Sequence, residues 1–345
     1  MILAFTMGDP AGVGPEIVLK AHARRPSDAP PWLWIGDPRA LRETARHLQL
    51  PAPLRLVDGP RDLLERPPGT LAVLPTGVEI GPLTLGTPDP RHAPAVMASL
   101  ELAGRLALEG AVAAVVTPPL AKSVLHQGGF DLPGHTEFFA ALCGVADPVM
   151  MLTGGGLRVA LATIHQSLRS VPDAMTADGL RRVLSTLWRA LRVDFALDHP
   201  RIAVAGLNPH AGEQGAFGDE EIRLLQPVCR ELEQRWGEGS ILGPLPADTM
   251  FHPEARRQYD AALAMYHDQG LIPLKMLAFG QAVNLTLGLP MVRTSVDHGT
   301  AFGIAGRGVA DEGSLIAAAR LATEVVIHRQ QRAGLAEGEG GEVQR

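Results

Sequence analysis

Short apolar runs of this chain alternate with longer segments of helical periodicity, and this alternation is the feature that most constrains its fold. We predict strands at 1–5, 33–35, 113–117, 150–153, 159–163, 201–206 and 261–266, and helices at 15–23, 95–109, 136–143, 177–195, 219–235 and 314–331. Strands that alternate with helices are typical of α/β layers around a largely parallel sheet. The fold class predicted from the sequence is therefore α/β.

The length of 345 residues exceeds what one hydrophobic core usually serves, so we predict two domains. The first comprises 1–134 and about 305–332, and the second comprises 135–304 and carries most of the candidate ligand residues described below. The stretch 333–345 is rich in Gly and Glu without apolar periodicity, which predicts a disordered tail.

The composition argues against several functional classes. With a net charge of -6 and no basic tract, the chain lacks the clustered cations that nucleic-acid binding requires. No apolar stretch reaches the roughly 20 residues of a membrane span. The N-terminus lacks a basic segment typical of a signal peptide. Only Cys143 and Cys229 are present, without a CxxC pair, so we expect a reducing, cytoplasmic setting.

Three histidines follow predicted strands, at the edge of the sheet where ligands of α/β proteins bind. They are His165, His210 and His267, of which His210 follows Pro209 and His267 precedes Asp268. Imidazole is the commonest metal ligand, so these positions favour a metal site. Their wide spacing leaves open that they are ordinary surface or core histidines. Asp268 is either a hydrogen-bonding partner for His267 or a turn residue.

Two segments offer groups for an anion. His135 and Thr136 begin a predicted helix with Thr136 as its N-cap, and a helix N-terminus can receive a phosphate. A plain capped helix is the alternative. Lys275, Asn284 and Arg293 lie in apolar surroundings, where a cation needs an anionic partner. That partner is either a substrate or a structural Asp or Glu.

The stretch from Gly8 to Glu16 is a Gly-rich turn that matches neither the G-x-G-x-x-G fingerprint nor a phosphate loop. We read it as a tight strand-to-helix connection, with Pro15 near the first helical position.

Taken together, the chain resembles the 4-hydroxythreonine-4-phosphate dehydrogenase family of vitamin B6 biosynthesis. The matching segments run in the family's order from Met7 to Asp311: MGDPAGVGPEI, VVTPPLAKSVL, GHTEFFA, NPHAGEQGAFGDEE, GPLPADTMF, AMYHDQGLIPLK and NLTLGLPMVRTSVDHGTAFGIAGRGVAD. The resemblance implies two α/β domains with a cleft between them, as in isocitrate and isopropylmalate dehydrogenases. It also implies a homodimer that completes each active site, with one histidine coming from the partner subunit.

The resemblance assigns roles to particular residues. His165, His210 and His267 fall on ligands of a divalent metal, for which zinc, magnesium and cobalt are the candidates. The substrate-binding positions are His135, Thr136, Lys275, Asn284 and Arg293. The segment His298, Gly299, Thr300 and Ala301 lies in relatives against the adenosine part of NAD or NADP. Two stretches depart from the usual family pattern, at 87–94 and at 216–219.

The implied reaction is oxidation of the 3-hydroxyl of 4-phosphohydroxy-L-threonine and loss of CO2, which gives 3-amino-2-oxopropyl phosphate. A metal lowers the pKa of the hydroxyl, and the hydride passes to the cofactor. Lys122 and Asp248 are our candidates for proton transfer or positioning. Lys122 is one of only three lysines in the chain. A surface ion pair for Lys122 and a helix cap for Asp248 are the alternatives.

Two other functions fit less well. One is the same chemistry on a 4-phosphorylated four-carbon sugar acid of the threonate or erythronate type. The other is a non-catalytic metal- or ligand-binding protein, which predicts the loss of at least one of His165, His210, His267 or Lys275. All four are present.

Overall fold

The computed structural model describes residues 1–65, 69–131 and 134–341. Its strands are β1 (Leu3–Thr6), β2 (Trp32–Ile35), β3 (Leu54–Leu56), β4 (Leu71–Leu74), β5 (Ala114–Thr117), β6 (Val149–Gly154), β7 (Leu157–Leu161), β8 (Ile202–Ala205), β9 (Ile241–Leu245), β10 (Ala261–Ala264), β11 (Val283–Leu287) and β12 (Val292–Val296). Its helices are α1 (Gly14–Ala23), α2 (Pro38–Leu48), α3 (Ala93–Leu108), α4 (Lys122–Gln127), α5 (His135–Leu142), α6 (Val171–Ala174), α7 (Ala177–Val193), α8 (Gln226–Trp236), α9 (Ala247–Met250), α10 (His267–Ala278) and α11 (Gly313–Gly341).

The chain divides into two compact units. The first contains Met1–Ala146 and Leu289–Val326, and the second contains Asp147–Gly288 and Ile327–Arg345. The sequence prediction placed the corresponding boundaries at 134, 304 and 332. Residues 289–304 fall in the first unit because β12 pairs in parallel with β5, with Arg293 opposite Val115.

The predicted tail differs from the structure over most of its length. Helix α11 continues to Gly341, so 333–341 are helical where we predicted disorder. This stretch contains Ala, Leu and Glu, which are good helix formers. The prediction of disorder gave too much weight to its glycines. Residues 342–345 lie outside the described residues.

The first unit contains a six-stranded sheet in the order β3-β4-β2-β1-β5-β12. Neighbouring strands in this order pair in parallel. Strands β1, β2, β4, β5 and β12 are buried along their whole length. Parallel strands are covered on both faces, so they read as continuous apolar runs. That pattern predicted β1, β2 and β5 in part, whereas β3, β4 and β12 were missed.

The second unit contains a mixed sheet in the order β11-β6-β7-β10-β8-β9. Strand β6 is antiparallel to both β11 and β7, and β7, β10, β8 and β9 pair in parallel. Side chains of β7, β8 and β10 form a core with those of α10, among them Leu161, Ala264, Leu271 and Leu274. The α/β class is thus confirmed. No helix among the described residues is long and apolar enough to cross a membrane.

Candidate active site

Two of the three predicted metal histidines come together in the second unit. His165 follows β7, and His267 is the first residue of α10, just after β10. The two strands are parallel neighbours, with Leu161 opposite Ala264, so their carboxyl ends meet. The ring centroids of the histidines are 5.6 Å apart, with the rings tilted by 45°. The strand-end argument therefore places this pair correctly.

The His165–His267 pair fits one divalent ion. Two imidazoles that bind the same ion at about 2 Å have their ring centroids roughly 5 to 6 Å apart. His267 also has an orienting partner, because its Nδ1 lies 2.7 Å from Oδ1 of Asp268. A proton on Nδ1 makes this a hydrogen bond to the carboxylate and leaves Nε2 as the metal-binding atom. Asp268 lies in the first turn of α10, so its reading as a turn residue is wrong.

His210 lies on a strained turn, Pro209–Gly215, that follows β8. Five consecutive residues, from His210 to Gln214, have left-handed φ angles between 42° and 83°. Only Gly212 among them is a glycine, and each other residue pays about 1 to 2 kcal/mol for this conformation. Strain of this kind persists where the surroundings impose it, and it clusters at functional sites.

A third ligand does not join the pair within one chain. No group of three His, Cys, Asp or Glu side chains in the described parts of the chain is arranged to hold a metal ion. The three histidines singled out from the sequence are therefore not gathered together by a single subunit. This arrangement is compatible with the expectation that one histidine is supplied by a partner.

A second cluster lies in the first unit, where Arg293 of β12 reaches the N-terminus of α5. Arg293 is only 2% exposed. Its Nη2 donates to Oγ1 of Thr117 at 2.7 Å, and its Nη1 lies 3.5 Å from Oγ1 of Thr136. Burial lowers the pKa of Arg293 to about 9, against the opposing charge of Glu137. A cation whose charged form is destabilised by burial is one that an anion would stabilise.

Thr136 does not cap α5. The N-cap is Gly134, without a side-chain cap bond, and the helix begins at His135. The predicted capping role of Thr136 is thus wrong, because its hydroxyl lies beside Arg293. This orientation also removes the reading of the segment as a plain capped helix.

His135 and Lys122 complete the cluster. The Nε2 atom of His135 is buried and has no hydrogen-bond partner among the described residues. Burial, followed by the charges of Arg293 and Lys122, holds the pKa of this imidazole well below its usual value of 6.5. A Cβ built on Gly134 would lie 3.1 Å from Nζ of Lys122, so this glycine admits the ammonium. We call Lys122, His135, Thr136 and Arg293 the α5 cluster.

Three further predicted residues lie in the second unit. Lys275 is half-buried near the end of α10. Asn284 lies on β11, and its Oδ1 is buried without a partner among the described residues. Asp248 is exposed in the first turn of α9, which packs against the turn of His210. Pro246 is the N-cap of α9, so the reading of Asp248 as the cap is wrong.

The predicted cofactor segment rests on the Gly-rich loop after β1. The backbone N–H of Val13 donates to the carbonyl oxygen of Thr300 at 2.9 Å. A Cβ on Gly12 would lie 2.8 Å from the same oxygen, so only glycine allows this close approach. His298 has a buried Nε2 without a partner among the described residues, and Ala301 has a φ of 46°. The Gly-rich loop therefore supports the segment from His298 to Ala301, a contact that the sequence of the loop did not reveal.

A model of the family described as pyridoxal phosphate biosynthetic protein PdxA matches residues 28–322. The chain belongs to this family. A relative from Caulobacter vibrioides, 4-hydroxythreonine-4-phosphate dehydrogenase, is 47% identical over 333 residues, which cover 95% of this chain and 98% of the relative. A relative of the same name from Maricaulis maris is 50% identical, with 94% of this chain and 97% of the relative covered.

The PdxA family also contains solved structures that resemble this chain. The crystal structure of 4-hydroxythreonine-4-phosphate dehydrogenase from Klebsiella pneumoniae is 40% identical, with a TM-score of 0.83. The match covers 94% of this chain and 99% of that chain. The family predicted from the seven sequence segments is therefore confirmed. The metal ligands, the substrate contacts and the cofactor segment remain predictions about this member of the PdxA family.

Proposed function

We propose that the protein is a metal-dependent 4-hydroxythreonine-4-phosphate dehydrogenase. It oxidises the 3-hydroxyl of 4-phosphohydroxy-L-threonine with NAD or NADP, and the product loses CO2 to give 3-amino-2-oxopropyl phosphate in vitamin B6 biosynthesis. The observation that carries this proposal is the α5 cluster, in a chain 47% identical to a curated relative of that name. A biosynthetic dehydrogenase of this kind is expected in the cytoplasm.

The α5 cluster supports phosphate binding. Arg293 is buried, and its guanidinium forms a planar fork suited to phosphate oxygens. The N-terminus of α5 adds free backbone N–H groups and the positive end of the helix dipole. The ammonium of Lys122 lies beside the same helix N-terminus, where it can meet a third oxygen. We assign the substrate phosphate to this cluster.

The metal-binding residues are assigned to the second unit. His165 and His267 would hold the ion, and zinc, cobalt or magnesium is its candidate identity. Bound there, the ion would polarise the substrate hydroxyl and lower its pKa. We assign further substrate contacts to Lys275 and Asn284, and the proton transfer to Lys122 or Asp248.

We propose that a second copy of the chain supplies the third ligand, His210. Large apolar side chains on and just after α10 are exposed, with Ile272 at 60%, Met276 at 83% and Phe279 at 85%. Soluble monomers rarely expose such a group on one helix, so its burial in a homodimer is favoured. The smallest active unit is then the dimer.

The cofactor is assigned to the first unit, where the segment from His298 to Ala301 lies on the loop that contains Gly12. A nicotinamide cofactor held there would supply the hydride acceptor for carbon 3 of the substrate. Oxidation at that carbon leaves a ketone β to the carboxylate, an arrangement that loses CO2 readily. The nicotinamide cofactor is therefore reduced once for each CO2 released.

The test is a coupled assay of purified protein with 4-phosphohydroxy-L-threonine, each cofactor and each divalent metal. We expect equal amounts of reduced cofactor and CO2, and no turnover after chelation. The matched competitor is a 4-phosphorylated threonate or erythronate, which carries a hydroxyl in place of the amine. Turnover of the sugar acid alone would replace the proposed substrate, and no turnover of either would remove the catalytic proposal.

A further inference from the structure

The turn that carries His210 is held by two side chains that are not among the metal- and substrate-binding positions assigned above. Four of its residues other than glycine have positive φ, so the turn does not keep this shape by itself. Two buried or half-buried side chains bond to the chain just before it. They are Glu221, in the π-helical turn Glu221–Leu225, and Gln269, in α10.

Glu221 fixes the entry to the turn. Its carboxylate is fully buried, and Oε1 accepts from the backbone N–H groups of Leu207 and Asn208, both at 2.8 Å. Oε2 accepts from Nδ2 of Asn208 at 3.0 Å. These three bonds satisfy the buried charge and hold the backbone two residues before His210.

The turn also folds back tightly onto the same carboxylate. A Cβ on Gly212 would lie 2.7 Å from Oε2 of Glu221, and a Cβ on Gly206 would lie 2.8 Å from Cα of Ala211. Both glycines are therefore needed for this close approach. The left-handed backbone at His210 is thus enclosed between Glu221 and the end of β8.

Gln269 joins this turn to the segment that carries His267. Its Oε1 accepts from the N–H of Met265 at 2.6 Å, just after β10. Its Nε2 donates to the carbonyl oxygen of Gly206 at 2.7 Å, just after β8. One amide side chain therefore binds the ends of two neighbouring strands, because its oxygen accepts while its NH2 group donates.

We propose that Gln269 and Glu221 are positioning residues that hold His210 in its metal-binding geometry and tie it to the His267 segment. This proposal rests on the proposed metal site. The two residues act through the backbone of the His210 turn and touch neither the substrate nor the ion. Loss of their hydrogen bonds should release the strained turn while the strands on either side stay in place.

The test measures metal affinity and coordination apart from activity. The variants are Gln269→Glu, which replaces the donating NH2 group with a carboxylate oxygen, Gln269→Met, which removes both bonds at similar length, and Glu221→Gln. Titration of the metal-free protein with Co²⁺ gives the dissociation constant and the visible spectrum of the bound ion. We expect affinity to fall by about 10- to 100-fold, the range for groups that orient metal ligands, with a changed Co²⁺ spectrum. The matched controls in α8 are Gln226→Glu, at a half-buried position, and Glu231→Gln, at an exposed one.

A double-mutant cycle separates positioning from general stability. If Gln269 acts through His210, Gln269→Glu should lower the Co²⁺ affinity of the His210→Ala variant only slightly. If Gln269→Glu acts through a loss of overall stability instead, its effect on the affinity should add in full. Co²⁺ affinity within twofold of wild type in both Gln269 variants, beside weak binding by His210→Ala, overturns the positioning role alone. Fully additive effects would also overturn it. Absence of saturable Co²⁺ binding by the wild type overturns the metal site itself, and the positioning role with it.

Discussion

Arg293 donates from Nη2 to Oγ1 of Thr117 at 2.7 Å, a bond between residues that are far apart in sequence and lie on the neighbouring strands β12 and β5. The bond aims the guanidinium at the N-terminus of α5, where we propose that the substrate phosphate binds.

Arg293→Lys should weaken phosphate binding while leaving the unit folded, because an ammonium cannot reproduce the planar fork. We expect KM for the phosphorylated substrate to rise by about 10- to 100-fold, in line with losing one partner of a buried charged contact. We also expect inorganic phosphate to raise the Tm of the wild type but not that of the variant. Arg181→Lys, at an exposed pair with Glu231, is the control. A wild-type response to phosphate in Arg293→Lys would refute the assignment.

Thr136→Val should raise KM but leave α5 stable. Loss of a true N-cap costs about 1 kcal/mol, but Thr136 forms no cap bond. Urea denaturation should therefore give a smaller loss than that, whereas Thr136→Ser should keep both stability and KM near wild type. A loss of a full kcal/mol or more, with KM unchanged, would restore the capping role.

His135 should make the stability of the folded protein sensitive to acid. Its pKa is held well below 6.5 in the folded state, so below pH 6.5 the unfolded chain takes up a proton that the folded chain does not. Stability then falls as pH decreases from 6.5 towards the folded-state pKa, by at most about 1.4 kcal/mol per pH unit for one group. The stability of His135→Gln should depend less on pH in this window. Parallel pH profiles for the two proteins would contradict the prediction.

Asp268→Asn should weaken metal binding, because the amide is a poorer acceptor for the Nδ1 proton of His267. We expect the dissociation constant for Zn²⁺ or Co²⁺ to increase by about 10-fold. Asp268 is 72% exposed, so the Tm of the metal-free protein should hardly change. Asp173→Asn, an exposed aspartate of α6, is the matched control. Equal affinities in the two variants would remove Asp268 from the metal site.

Gly12→Ala should disturb cofactor binding, because its Cβ would lie 2.8 Å from the carbonyl oxygen of Thr300. The segment from His298 to Ala301 would have to move, so KM for NAD or NADP should rise more than KM for the substrate. Gly59→Ala is the matched control in the same unit and outside that segment, since its Cβ would meet nothing within 4 Å. If Gly12→Ala raises neither KM, or if Gly59→Ala has the same effect, the segment does not bind the cofactor.

The sequence by itself determined the α/β class, several strands, the family and the placement of His165 and His267 at neighbouring strand ends. These inferences depend on local patterns, because apolar runs mark buried strands and polar residues after them mark the sheet edge where ligands bind. The local pattern did not reveal β3, which is short and half exposed, or β12, which contains the charged Arg293.

Only the tertiary structure decided which distant residues meet. The hydroxyl of Thr136 lies beside Arg293 instead of capping its helix. Gly12 packs closely against the carbonyl oxygen of Thr300, and the side chain of Gln269 joins the ends of β8 and β10. Each contact joins chain segments whose separation in sequence carries no information about their distance in space. A residue's role follows from the partner that the fold brings to it, and for these residues that partner lies far away along the chain.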